Sequence, residues 1–220
     1  MTQKTGRTLV ALAALSFVLS PVAALAGPGH DHGPGGHSHD AATEEKATLV
    51  GKAAPDFTLK TSDGKEFNLA TYRGDSPVVI TFLSKGCPYS RAYHKEIGAI
   101  AKEYEKKGVK FVGIMSNSTE KTPEVTEHLR SEGVMFPILD DPGNKVADLL
   151  DAIGTPHMYV LAKDGTIVYS GAVNDCVRDP KTIKVHYFKD ALSATLAGKP
   201  VTVAEPDAFI GCTIKRMKTS

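Results

Sequence analysis

A chain of 220 residues with 26 lysines and arginines against 25 aspartates and glutamates is formally +1, with no basic excess to seek nucleic acid or an anionic membrane. Its length and its 41% apolar residues suffice for one domain with a proper core, not for two. Its three cysteines are an odd number, so they cannot all pair within one molecule.

The chain opens with Lys4 and Arg7, then an apolar run from Leu9 to Val18 that is too short to span a bilayer securely. Ala24-Leu25-Ala26 is a small-x-small cleavage site, so residues 1–26 are expected to be a signal peptide and the protein to be exported, periplasmic or secreted. No cysteine follows that site to take a lipid, and no second stretch approaches membrane-spanning length, so no stable membrane anchor is expected. Losing Lys4 and Arg7 leaves 24 basic against 25 acidic residues, a formal charge of −1. An oxidising compartment disfavours a purposeless thiol, which points to a redox role for at least one cysteine.

Residues 27–46 form a leader in which His30, His32, His37 and His39 stand among glycines, prolines and aspartates. With no apolar residue to bury between Gly27 and Asp40, it is expected to be disordered. Imidazoles two apart on a loose chain can hold zinc or copper weakly; a solvated leader with idle histidines is the plainer alternative. No cofactor is otherwise required.

The folded domain is expected over 47–220. Phe57 to Leu59 and Phe67 to Leu69 face each other across Ser62-Asp63-Gly64-Lys65 as an N-terminal hairpin. Val78 to Leu83 is an unbroken apolar run of the kind buried on both faces. Cys87 and Pro88 follow, and Tyr89, Tyr93, Ile97, Ile100 and Tyr104 recur at helical spacing as far as Gly108. Val109 to Met115 reads as a second buried strand. Thr122 is expected to cap and Pro123 to open a helix with Val125 and Leu129 inward, and Phe136 to Leu139 is extended. From Asn144 another helix is expected to turn Val146, Leu149, Leu150 and Ile153 to one side. Met158 to Ala162 and Ile167 to Tyr169, joined through Lys163-Asp164-Gly165, make a closing hairpin. A last helix carries Val185, Phe188, Leu192 and Leu196, ends at Gly198, and leaves a C-terminal tail. The pattern predicts an α/β domain with a mixed central sheet covered on both faces by helices.

Cys87 is the first candidate for chemistry. It is predicted at the N-cap of a helix leaving a buried strand, where unpaired N–H groups and the positive dipole end favour a thiolate. Lys85 and Arg91 add positive charge. The bland alternative is a small apolar residue that ends a strand.

Ala54-Pro55-Asp56-Phe57, the strand–Cys–Pro–helix element, Phe136-Pro137, Gly154-Thr155-Pro156 and Lys163-Asp164-Gly165 resemble the thioredoxin fold, and within it the alkyl hydroperoxide reductase/thiol-specific antioxidant (redoxin) superfamily. Cys87-Pro-Tyr-Ser-Arg-Ala-Tyr with the late Gly211-Cys212-Thr-Ile-Lys215 resembles a peroxiredoxin-like branch that reads Cys-x-x-Cys-Pro-Tyr-x-x-Ala-Tyr and ends in Gly-Cys-Ser-Ile-Lys. The resemblance implies a thiol-based oxidoreductase acting on a disulfide-bearing protein or a peroxide and recharged by a thiol reductant. Two departures stand out. Ser84 takes the place of the branch's first cysteine, and Ser90 that of the second cysteine of a thioredoxin motif, so no local dithiol remains. Ser84-x-x-Cys87 matches a peroxiredoxin pattern, but Ile80 replaces its proline, and Thr155 and Pro156 hold the approximate place of its arginine. The resemblance also sets Thr155 and a cis Pro156 against Cys87 to present backbone to an extended substrate, with His157 next to them as a possible proton donor or acceptor.

Cys87 then needs a downstream resolving cysteine. Topology argues for Cys176, which follows a strand returning to the active-site end. The resemblance argues for Cys212, whose tail can also meet the roughly 4.4–6.8 Å between Cα atoms that a bridge requires. The order of preference is Cys87–Cys212, Cys87–Cys176, then a structural Cys176–Cys212 bridge. Two other readings remain: a metal-binding or metal-delivery protein using the His-rich leader, and a redox-inert thioredoxin-like interaction module.

Overall fold

The computed structural model describes residues 48–176, 179–207 and 209–217, all within one unit, 46–220. Residues 1–26, expected to be a signal peptide, and His30, His32, His37 and His39 lie outside the described residues. The hairpin β1 (Thr58–Thr61) and β2 (Glu66–Asn68) runs into helix α1 (Leu69–Arg73). Asn68 explains the change of direction: its side-chain oxygen accepts the Thr71 N–H at 2.8 Å and caps α1, so Leu69, expected to end a strand, begins a helix instead.

Strand β3 (Val78–Phe82) delivers the chain to α2 (Pro88–Glu105), and β4 (Lys110–Met115) pairs beside β3 in parallel. Helix α3 (Thr122–Ser131) and β5 (Ile138–Asp140) follow, then a short α4 (Lys145–Leu149). Strands β6 (Gly154–Thr155), β7 (His157–Leu161) and β8 (Ile167–Gly171) lead to α5 (Tyr187–Leu196), and the tail adds β9 (Cys212–Thr213). The main sheet has the order β2-β1-β5-β4-β3-β7-β8, parallel through β5-β4-β3 and antiparallel elsewhere; β6 and β9 form a separate antiparallel pair. This is a thioredoxin-like fold with a mixed sheet.

Alternation along β3 divides the core. Val79 faces the layer made by α2, α3 and α5, with Ile97, Leu129 and Phe188; Val78, Ile80 and Phe82 face the layer with Leu69, Val146 and Leu150. Each such side chain, removed wholly from water, stabilises the fold by about 1.5–3 kcal/mol before the entropy of ordering it. Tyr93, Ile97, Ile100 and Tyr104 share the buried face of α2 as their spacing requires.

Some local expectations shift. Thr122 is the first helical residue of α3 rather than its cap, and its hydroxyl donates to Asp140 Oδ1 at 2.5 Å. Helix α4 ends at Leu149; Leu149 (44% exposed) and, beyond the helix, Ile153 (45%) stay out of the inward face that Val146, Ala147 and Leu150 make. Val185 precedes α5 instead of belonging to it.

Candidate active site

Strand β3 ends at Phe82, and the turn from Leu83 to Gly86 hands the chain to α2 with Cys87 at its N-cap (φ −84°, ψ 116°) and Pro88 in its first turn. Proline fits there because its missing N–H has no partner to lose. The Ser90 N–H points at Cys87 Sγ at 3.4 Å. A sulfur so placed meets the positive end of an 18-residue helix.

The turn itself is held by side chains. Cys87 N–H donates to Ser84 Oγ at 3.0 Å, and the Ser84 hydroxyl donates to Glu120 Oε2 at 2.6 Å. Glu120 also accepts the Gly86 N–H at 2.8 Å and the Asn117 amide at 2.6 Å. On the other side, Ser84 N–H donates to Ser90 Oγ at 3.1 Å, and that hydroxyl meets His94 Nε2 at 3.1 Å. His94 lies too far along α2 for direct contact chemistry at sulfur; it braces Ser90 instead. Burial, with the charges of His128 and Arg91 beside it, pushes the His94 imidazole down to about 4, although Glu132 opposes this.

Cys87 is bonded to Cys212, with Cα atoms 5.9 Å apart, so of the three pairings open in the sequence the structure contains this one. Cys87 Sγ also sits 3.2 Å from the Thr155 carbonyl oxygen, just before the cis Thr155–Pro156 peptide bond. A disulfide sulfur has no proton to donate, so in this state the approach is close packing; a Cys87 thiol would donate there. Thr155 in turn pairs with Cys212 and Gly154 with Thr213. Both sulfurs and the Thr155 backbone therefore meet at one point. Cys176 stands outside this disulfide: its carbonyl accepts the Tyr93 hydroxyl at 2.9 Å, and its sulfur lies 3.0 Å from Thr182 Oγ1.

His157 follows Pro156, but its hydrogen bonds run into the sheet. Its Nε2 meets Ser170 Oγ at 3.1 Å and its Nδ1 meets Tyr159 Oη at 3.3 Å. Because the Tyr159 hydroxyl already donates to Leu150 O at 2.8 Å, it accepts from His157, which assigns the proton to Nδ1. The ring stacks on Tyr159 and packs 5.6 Å from Phe209, three residues before Cys212.

The electrostatics differ from the sequence reading. Lys85 Nζ is engaged by Glu124 at 3.1 Å, and Arg91 is exposed, while the unanticipated Glu120 brings a carboxylate behind Ser84. A thiolate at Cys87 would thus be favoured by the helix start and the Ser90 N–H, and opposed by Glu120 and the Thr155 carbonyl. Glu120 and Asn117 were legible in one respect. They lie just past the carboxyl end of β4, beside β3, where open α/β sheets gather their sites.

The sequence profile of the AhpC/TSA family matches residues 50–170. The chain belongs to the AhpC/TSA family. Among its relatives, the thiol-disulfide oxidoreductase ResA of Geobacillus thermodenitrificans is 30% identical over 128 residues, 57% of this chain and 70% of that protein. The chloroplastic peroxiredoxin Q of Oryza sativa subsp. japonica is 29% identical over 135 residues, 54% of this chain and 57% of that one. The crystal structure of an uncharacterized conserved protein from Geobacillus kaustophilus superposes with a TM-score of 0.68 at 32% identity, covering 78% of this chain and 94% of the other. The profile takes in β3, Cys87 and Pro156 but stops before Cys212, so the tail of this AhpC/TSA protein is understood from its own contacts.

Proposed function

We propose that this AhpC/TSA protein is an exported thiol-disulfide oxidoreductase in which Cys87 is the nucleophile and Cys212 the resolving thiol. The observation that carries the reading is the Cys87–Cys212 bond at the start of α2, beside the Thr155 backbone. In the reduced protein, the Cys87 thiolate attacks one sulfur of a substrate disulfide; a new S–S bond forms and the other substrate sulfur leaves with the electron pair and takes a proton. Cys212, as thiolate, then attacks Cys87 Sγ, expels the second substrate thiolate, and leaves the internal disulfide. Two electrons have passed to the substrate, and an external dithiol returns them. Relatives named as thiol-disulfide oxidoreductases support this chemistry.

A disulfide substrate is favoured over a peroxide. Ile80, in the place of the peroxiredoxin proline, is wholly buried in the middle of β3. Thr155 and the cis Pro156 hold the approximate place of its arginine. Were a hydroperoxide the substrate, Cys87 would become a sulfenic acid and release an alcohol or water, and Cys212 would condense with it and release a second water.

The test is a stopped assay of a protein disulfide and of hydrogen peroxide against the reduced chain, with Cys87→Ser as control. Faster consumption of the disulfide, abolished in Cys87→Ser, is the expected result; oxidation by peroxide alone would replace the substrate, and unchanged activity in Cys87→Ser would refute the reading. Export rests on Lys4, Arg7, the Leu9–Val18 run and Ala24-Leu25-Ala26. Mass spectrometry of the protein from the cell envelope should find Gly27 as its first residue, whereas an intact Met1 there would refute export. No helix among the described residues is long and apolar enough to cross a membrane.

A further inference from the structure

The turn that carries Cys87 and the tail that carries Cys212 are joined by a second connection, a line of hydrogen bonds that does not pass through the sulfurs. Cys87 N–H donates to Ser84 Oγ, the Ser84 hydroxyl donates to Glu120 Oε2, and Asn117 Nδ2 donates to that same oxygen at 2.6 Å. Asn117 Oδ1 accepts the Lys215 N–H at 2.7 Å, and the Ser118 N–H donates to the Lys215 carbonyl at 2.8 Å. An acceptor on one side and a donor on the other fix the way the amide faces, with its NH2 on the carboxylate and its oxygen on the tail. Ser84 (1% exposed) and Asn117 (7%) are buried, so water screens these bonds little.

We propose that Asn117 is a positioning residue for Cys87, one that makes ionisation of the thiol depend on whether the tail is docked. This role rests on the proposed function, with Cys87 as the nucleophile. The Glu120 carboxylate opposes a thiolate at Cys87, and the Asn117 N–H dipole offsets part of that charge. With the tail docked, Lys215 holds the amide in the orientation that does this. With the tail away, Asn117 Oδ1 loses its donor and the amide is no longer fixed on Glu120, while the Ser84 hydroxyl and the Gly86 N–H keep the carboxylate against the turn. The Cys87 thiol then ionises at higher pH. The neighbouring charges are engaged elsewhere. Lys85 pairs with Glu124, Asp140 accepts the Thr122 hydroxyl, and Asp141 accepts the Ser116 hydroxyl and the Val146 and Ala147 N–H groups. On α2, Arg91 is exposed and His94 is bonded to Ser90. The coupling suits both halves of the cycle. A lower pKa makes Cys87 the better leaving group when the internal disulfide, with its tail docked, is reduced. A higher pKa makes its thiolate the stronger nucleophile while the tail stands aside.

The test is the pH dependence of Cys87 alkylation, followed by peptide mass spectrometry, in the reduced full chain carrying Cys212→Ser so that no bond to the tail intervenes. Asn117→Leu removes both contacts of the amide. Lys215→Pro removes only the N–H that holds it and leaves every side chain of the turn in place. Each should raise the midpoint by about 0.5 pH unit or more, slowing alkylation below the midpoint by about threefold. The double variant should go no further than Asn117→Leu alone, because both changes act through one side chain. A purely structural role would lower the melting temperature and leave the midpoint in place. A midpoint unmoved or lowered in either single variant, or shifts that add in the double variant, would overturn the coupling while leaving Cys87 as nucleophile. No alkylation of Cys87 at neutral pH in the chain without these two changes would instead overturn the proposed function. Should Asn117→Leu not fold, the Lys215→Pro midpoint decides alone, with a rise supporting the coupling and an unmoved or lowered value overturning it.

Discussion

The two cysteines that form the disulfide are held in opposite ways. Cys87 is 3% exposed, at the junction of a fully buried strand and a long helix, in a turn whose N–H groups are satisfied by Ser84, Ser90 and Glu120. Cys212 is half-buried on a two-residue strand, in a tail held by backbone contacts, the Asn117 and Asn144 side chains, Arg216 on Asp148 and Ala152, and the buried Ile214 side chain two residues on. A nucleophile gains from a fixed position, because alignment is provided before the reaction. A resolving thiol must stand aside while a substrate is bound and arrive afterwards, so it gains from an attachment that opens locally without unfolding the core.

The contrast is broken most severely at the sulfurs. Cys87→Ser should reduce turnover of a disulfide substrate to background. Cys212→Ser should leave the first half-reaction, so that one equivalent of mixed disulfide accumulates on Cys87 and turnover stops. Mass spectrometry of the trapped adduct checks this; steady turnover in Cys212→Ser would remove the tail from the cycle. Gly211→Val attacks the arrival of the tail rather than its chemistry. The added Cβ collides with the Thr155 carbonyl, so closure of the internal disulfide should slow by about tenfold or more, an effect of about 1.4 kcal/mol on the barrier. Quenched alkylation during oxidation measures this rate.

Glu120→Gln tests the fixed side. In either orientation the new NH2 would meet a donor, the Gly86 N–H in the place of Oε1 or the Ser84 hydroxyl and Asn117 amide in the place of Oε2, at a cost of about 1–3 kcal/mol. Removing a negative charge should also lower the pKa of Cys87, read from the pH dependence of its alkylation. A rise in that pKa would show that the carboxylate acts chiefly by shaping the turn.

His94 gives a pH signature to the same side. Its folded imidazole is held at about 4, against 6.5 for the ordinary value, so the unfolded chain binds its proton first as pH falls. Stability is full above about pH 6.5 and is lost between there and pH 4, by about 2 kcal/mol between pH 7 and pH 5 from this group. Denaturant titrations at the two pH values should show this loss, and His94→Gln should flatten it. The smallest effect concerns the leader. If His30, His32, His37 and His39 hold metal, deleting residues 27–40 should remove weak zinc or copper binding and leave melting unchanged; undiminished binding would place the metal on the domain.

Much of the fixed side was legible in the sequence because its signals are local: an apolar run of strand length, a cysteine and proline at a helix start, and aromatic and aliphatic residues at helical spacing. The tail was legible only as a resemblance. Thirteen residues lie between Gly198 and Cys212, and no periodicity says where such a segment returns. Glu120 and Asn117 escaped for a related reason: their roles arise from the parallel pairing of β3 with β4, which joins residues more than thirty apart. Ile153 misled because helical spacing was continued past the end of a five-residue helix, whereas Leu149, the last residue of that helix, stays 44% exposed beside the buried Leu150. His157 was read from its neighbour Pro156, whereas alternation along β7 and its partner Ser170 on β8 decide where its ring bonds.

The central claim, a fixed Cys87 resolved by an arriving Cys212, is tested most directly by peptide mapping of disulfides after mild oxidation of the reduced Cys176→Ser and Cys212→Ser variants. The account predicts a Cys87–Cys212 bond in Cys176→Ser and no internal partner for Cys87 in Cys212→Ser. A Cys87–Cys176 bond that forms readily in Cys212→Ser, with none in Cys176→Ser, would contradict it.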